Sequence, residues 1–158
     1  MTSPADVVRF HAEFDYHPDD LVASKRRSAS GRTDTKPSIV FHHADYTHDL
    51  PIEDRSIDLL VLLYAGFIGE HCSRYLRPGG LLLANNSHGD ASMATLDERF
   101  ELAAVVTASD GSYQVRTDAL DRYLQPIRGD TPTWEGLHAT NRGIAYTTSP
   151  FAYIFRFD

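Results

Sequence analysis

Two uninterrupted apolar runs, Leu59-Leu60-Val61-Leu62-Leu63 and Leu81-Leu82-Leu83-Ala84, follow one another closely in the chain, and polar, turn-rich residues bound each of them. Runs of this length cannot cross a bilayer. A continuous apolar stretch that does not alternate marks a parallel strand covered on both faces. Between the runs, Ile68 to Leu76 suits a short helix that Arg77-Pro78-Gly79-Gly80 would stop with a cation and helix breakers. Strand, helix and strand with short links predict a right-handed crossover and a parallel sheet.

The remaining segments continue the pattern. Val7 to Phe14 is β-rich and runs into Asp15-Tyr16-His17-Pro18, after which Asp19 or Asp20 can cap a helix ending at the basic Lys25-Arg26-Arg27. Ser28 to Pro37 is rich in breakers and reads as a surface loop, and Ser38 to His43 returns to a strand. Further on, Ala91 to Glu98 predicts a helix and Phe100 to Thr107 a strand. The last strand lies within Ala145 to Phe157, with Phe151, Tyr153, Phe155 and Phe157 on one face and Ala152, Ile154 and Arg156 on the other. Before it comes an insertion at about 108–143, in which Thr117 to Leu124 reads as helical and Trp134 is the only tryptophan. Long excursions at a sheet edge are places for substrate contacts.

The chain has 158 residues, 42% of them hydrophobic and 23% charged, which matches a single folded domain over residues 1–158. Its net charge of −7 opposes close approach to a phosphate backbone, so a small molecule or a protein is the expected partner rather than nucleic acid. No stretch predicts a membrane partner. The single cysteine, Cys72, can form no intrachain disulfide, and the first residues lack the charged-then-apolar pattern of a secretory signal. The expected location is cytoplasmic.

The stretch Asp45-Tyr46-Thr47-His48-Asp49-Leu50-Pro51, leading through Glu53-Asp54-Arg55-Ser56 to Ile57-Asp58-Leu59-Leu60, combines an acidic residue after a strand, a Leu-Pro pair and a hydrophobic-Asp pair opening the next strand. Downstream, Tyr75-Leu76-Arg77-Pro78-Gly79-Gly80-Leu81-Leu82-Leu83 leads into the following strand. In order and separation these two segments resemble the class I S-adenosylmethionine-dependent methyltransferases. The resemblance implies a mostly parallel, Rossmann-like α/β sheet in the order 3-2-1-4-5-7-6 with an antiparallel C-terminal strand. It further implies S-adenosylmethionine as cofactor and methyl transfer to an unidentified acceptor. By the same carry-over Asp15, or Glu13 in a shifted register, would accept from the ribose hydroxyls and Asp45 from the adenine amino group. Tyr46 would lie beside the ring, and Tyr64 at the same carboxyl-end rim. Ionised carboxylates suit these tasks because they only accept hydrogen bonds. The simpler alternatives are a turn role for Asp15 and satisfaction of loop amides by Asp45.

One departure from the family is large. The glycine-rich turn after the first strand is absent, since Met1-Thr2-Ser3-Pro4-Ala5-Asp6 leads almost directly into the Val7 strand. The fold is therefore expected to lack its first strand and helix, as a piece of a longer enzyme or as a diverged remnant. A central gap would leave backbone groups unpaired, so either Val7 to Phe14 shifts beside the Leu59 strand or a homodimer fills the place. A noncatalytic binding or assembly module is the alternative function, and a dinucleotide-binding fragment is a weaker third.

Asn85-Asn86-Ser87-His88-Gly89-Asp90 follows the second apolar strand, on the functional rim of an open parallel sheet. Asn85 and Asn86 are candidate substrate contacts and His88 a candidate general base. The bland reading is a helix-capping loop with Ser87 or Asp90 as cap. His42-His43-Ala44-Asp45 invites a metal hypothesis, but adjacent residues of a strand point to opposite faces, so no metal site is expected. Asp58, opening its strand at the other end of the sheet, and Cys72, among apolar neighbours, are expected to be structural.

Overall fold

The computed structural model describes residues 40–128 and 131–158. Contacts divide the chain at Leu50/Pro51 into two compact units, each considered by itself. The expected Val7 strand, the helix after Asp19 and Asp20, and Asp15 lie outside the described residues.

In the first unit the described residues 40–50 form a short irregular segment with a turn at 46–47. Val40 and Phe41 are each 71% exposed and have no strand assignment, so the described part of the expected Ser38 to His43 strand is not one. Asp45 organises the turn instead. Its Oδ1 accepts from the Thr47 backbone N–H at 2.9 Å and the Thr47 hydroxyl at 2.7 Å, and its carbonyl accepts from the His48 N–H at 3.1 Å. An aspartate bonded two residues ahead offers the backbone a local alternative to a sheet ladder.

The second unit is a five-stranded sheet with short helices. In chain order it runs β1 (Ile57–Leu62), α1 (Ile68–Cys72), a 3-10 turn (Ser73–Tyr75), β2 (Leu76–Ala84), α2 (Asp90–Ala94), β3 (Phe100–Ser109) and β4 (Ser112–Arg116). A 3-10 helix (Leu120–Leu124), α3 (Trp134–Thr140) and β5 (Ala152–Phe157) complete it. Spatially the order is β1-β2-β5-β3-β4. Among the described residues only β1 and β2 pair in parallel, whereas β2–β5, β5–β3 and β3–β4 are antiparallel.

The α/β class is therefore as expected, but the sheet is mixed and mostly antiparallel rather than mostly parallel. The cause lies in β5. It enters between β2 and β3, runs against both, and so replaces one parallel ladder with two antiparallel ones. The hairpin β3–β4 adds a third. Its two-residue turn, Asp110-Gly111, has φ of 50° and 74°, the left-handed pair that matches the twist of a hairpin.

β2 begins at Leu76, so Arg77-Pro78-Gly79-Gly80 lies inside a strand instead of simply ending a helix. The register slips there, from Ile57↔Leu76 to Leu59↔Leu81, and the β2 side of the pairing bulges. Arg77 Nε donates to Asp58 Oδ1 across this irregularity. Asp58 is thus engaged in an exposed ion pair.

Across β1 and β2 side-chain alternation makes the core one-sided. Leu62, Leu82, Ala84, Tyr153 and Phe155 are buried with Ala91 and Ala94 of α2. On the opposite face Leu59, Val61 and Leu81 are 49%, 50% and 37% exposed. The expectation of strands buried on both faces fails here, because among the described residues β1 lies at the edge of the sheet and the core around it gathers with α2 on one side. The insertion is ordered into the 3-10 helix and α3, and it returns by pairing Pro126 with Tyr146. The Tyr153 hydroxyl fastens the 3-10 helix by donating to the Tyr123 carbonyl at 3.1 Å.

Candidate functional site

Since β1 and β2 run in parallel, their carboxyl ends open on one edge, and two loops leave from it: Leu63–Phe67 into α1 and Asn85–Gly89 into α2. Several residues in and beside these loops hold left-handed backbone, namely Tyr64 (φ 59°), Phe67 (φ 55°), Gly89 (φ 103°) and, after α3, Asn141 (φ 52°). Each non-glycine residue in that conformation costs roughly 1–2 kcal/mol. Such costs persist where surrounding contacts over-determine the backbone.

Those contacts come largely from the two asparagines. Asn85 Oδ1 accepts from the Tyr64 backbone N–H at 3.2 Å and the Ser87 hydroxyl at 2.8 Å, and so ties the two loops together. Asn86 Oδ1 accepts from the Ser92 N–H at 3.0 Å and the Ser92 hydroxyl at 2.8 Å, while its Nδ2 donates to the Ile144 carbonyl at 2.8 Å. The returning insertion presses on this group: a Cβ at Gly143 would sit 2.2 Å from Asn86 Oδ1 and 2.5 Å from its carbonyl oxygen. The candidate substrate amides are thus engaged within the fold.

The structure brings Tyr64, Asn85, Asn86 and His88 to one rim. Tyr64 is 65% exposed. His88 is half-buried, its Cβ 3.7 Å from where a Cβ of Gly66 would be. Asp45 and Tyr46 belong to the first unit, where Asp45 serves its own loop amide, the simpler of the readings its sequence allowed. Among the described residues no group of three or more His, Cys, Asp or Glu is placed to hold a metal ion. Burial pushes the Cys72 thiol above its ordinary value, which suits packing rather than nucleophilic attack.

One residue acquires a prominence its sequence context did not give it. Asp90 is only 2% exposed. Its Oδ1 accepts from the Gly69 N–H at 3.2 Å, but Oδ2 has no hydrogen-bond partner. Burial pushes its carboxyl up to about 7, against the opposing pull of backbone N–H groups at Gly69, Phe67, Asp90 and Ile68. Asp90 also lines a small cavity of about 20 Å³, room for about one water, together with Gly69, Glu70, Asp97, Phe100 and Trp134. Around it, Glu70 Oε2 lies 3.3 Å from His138 Nε2, whose ring is 4.8 Å from that of Phe67. Asp97 is held below the usual carboxylate range by Arg99, which donates to it at 2.6 Å. The available signal was compositional: Ala91, Ser92 and Ala94 are small enough for a helix to press close to the sheet, carrying Asp90 in with it.

No family model, curated protein or solved structure matches this chain. Among the described residues no helix is long and apolar enough to cross a membrane.

Proposed function

We propose that the chain carries a class I S-adenosylmethionine-dependent methyltransferase-like domain, acting on a small-molecule or protein acceptor. The observation that supports this reading is the order β1-β2-β5-β3, with β5 alone reversed among the four. The resemblance implies that arrangement for the 4-5-7-6 half of the family's sheet, in which the last strand enters backwards between the fifth and sixth. A shuffled or purely sequential order would have counted against it.

The fit of the described side chains to the cofactor is partial. Tyr64, exposed just past the carboxyl end of β1, offers an aromatic face to a planar base. His88 stands on the same rim as a candidate proton acceptor. Against this, the sequence lacks the glycine-rich turn that would receive the amino-acid end, so no catalytic step is assigned. The alternative, a noncatalytic binding or assembly module, draws support from Asn85 and Asn86, whose amides already serve the fold.

Calorimetry of the chain with S-adenosylhomocysteine separates the two. Saturable binding that weakens in Tyr64→Ala supports the methyltransferase reading. A folded protein that takes up no S-adenosylhomocysteine at millimolar concentration leaves the noncatalytic module.

A further inference from the structure

β4 lies open on both faces and along one edge. All 5 of its residues, Ser112-Tyr113-Gln114-Val115-Arg116, are exposed, and so is the Ala108-Ser109 end of β3 that leads into the turn. It pairs with β3 without a register shift, and among the described residues it stands at the edge of the sheet. Such an edge is a template for another strand unless a proline, a lysine or a bulge blunts it. β4 has none of these, and its one charge, Arg116, is at its end. Tyr113 and Val115, 64% and 63% exposed, share one face, where the Tyr113 ring meets Phe151.

The turn fixes which backbone groups of β4 face outward. Ser109 and Ser112 flank a two-residue turn and form a hydrogen-bonded pair, and such pairs alternate along an antiparallel ladder. Ser112, Gln114 and Arg116 therefore direct their N–H and C=O groups to β3, while those of Tyr113 and Val115 point away from it. A second β4 laid antiparallel, with Gln114 opposite Gln114, sets Tyr113 of each copy against Val115 of the other. In this register every outward N–H of the two strands donates to an outward carbonyl across the junction. A slip of one residue sets outward groups against inward ones, and a slip of two leaves half of them unmatched within β4. Charge agrees with this register. The net charge of −7 works against self-association, but β4 holds no acid, and Arg116 falls opposite Ser112 of the second copy, at the far end from the other Arg116. From there its guanidinium can reach toward Asp110 in the second copy's turn.

We propose that β4 is a homodimer edge, at which two copies of this chain join antiparallel about a twofold axis at Gln114 and continue one sheet across both. The inference does not depend on the methyltransferase reading. The pairing is closed, because each β4 is occupied by the other, and it buries little beyond the two strands, so the dimer is weak and reversible.

Sedimentation velocity of the full chain over a range of concentrations should show monomer and dimer in concentration-dependent exchange, with nothing larger. Val115→Pro removes one outward N–H from each copy at a position where an edge strand tolerates proline, and should weaken the dimer about tenfold or more. Gln114→Cys reads the register independently. Opposed residues of a non-hydrogen-bonded pair have Cα atoms about 4.5 Å apart, within the span of a disulfide, so mild oxidation should link this variant into a dimer. Ser112→Cys, which lies opposite Arg116, should not link, and the parent chain, whose Cys72 is buried, is the control. The proposal is overturned by a monomer at every concentration, by open-ended growth, by an undiminished dimer in Val115→Pro, or by equal linkage of Ser112→Cys and Gln114→Cys. Should Val115→Pro fail to melt cooperatively, the parent's sedimentation and the two cysteine variants decide alone.

Discussion

Asp90 ties folding to proton uptake. Its carboxyl titrates at about 7 in the folded chain against an ordinary 3.8, so between these values the folded state keeps a proton that the unfolded state has released. This contribution is fully present below about pH 3.8, is lost as pH rises through about 7, and is absent above it. The difference corresponds to something on the order of 4 kcal/mol. Asp90→Asn, which cannot ionise, should accordingly gain stability relative to the parent as pH rises from 4 to 8. Denaturant melts at several pH values check this, and a difference that stays flat across the range refutes it. Gly143 is the other sensitive residue. Gly143→Ala would drive a methyl group into the Asn86 carbonyl and amide, and overpacking of this kind costs roughly 1–3 kcal/mol. A melting temperature equal to the parent's would mean that the 141–144 segment yields at no cost.

At the scale of elements, legibility followed the range of the forces involved. Strand β1 was legible as an unbroken apolar run and β5 as an alternation of faces, because burial leaves its imprint on a few consecutive residues. Asp110-Gly111 carries the local signal of the β3–β4 turn, inside the segment that the sequence predicts as an insertion. Gly111→Val tests that turn: forcing a β-branched residue to φ 74° should cost about 1–2 kcal/mol and loosen Tyr113 from Phe151, whose rings lie 5.0 Å apart. Amide protection along Val105 to Val115 would report the loss; unchanged protection would show that cross-strand contacts hold the hairpin without its turn. The start of β2 differs from its sequence expectation for another reason. Pro78 and the two glycines carry the same local signal whether they stop a helix or bulge a strand, and only the pairing with Ile57 decides. For the site, the rim position of Tyr64 and His88 was legible from topology. That Asn85 and Asn86 bond inward was not, because their partners lie in other elements or in backbone that the fold brings to them.

Across β1 and β2 the sheet is packed on one side, and neighbouring leucines show it. Leu82 is 1% exposed and Leu81 37%. Leu82→Ala should cost roughly 2–5 kcal/mol through lost burial and the cavity left behind. Leu81→Ala, with water already at its side chain, should cost about 1 kcal/mol or less. Equal losses in urea melts would mean that the Leu59, Val61 and Leu81 face is covered in solution.

The placement of β5 also bears on how the protein can be made. Its partners β2 and β3 are complete by Ser109, yet neither borders the other, and each must hold an open edge until Ala152–Phe157 arrives between them. Translation delivers those residues after all the other strands of the sheet. A nascent chain stalled anywhere in α3 therefore presents two unsatisfied strand edges to its surroundings. The sheet can close only once Phe157 has emerged, which makes the interval between Ser109 and Phe157 the period of greatest exposure to aggregation.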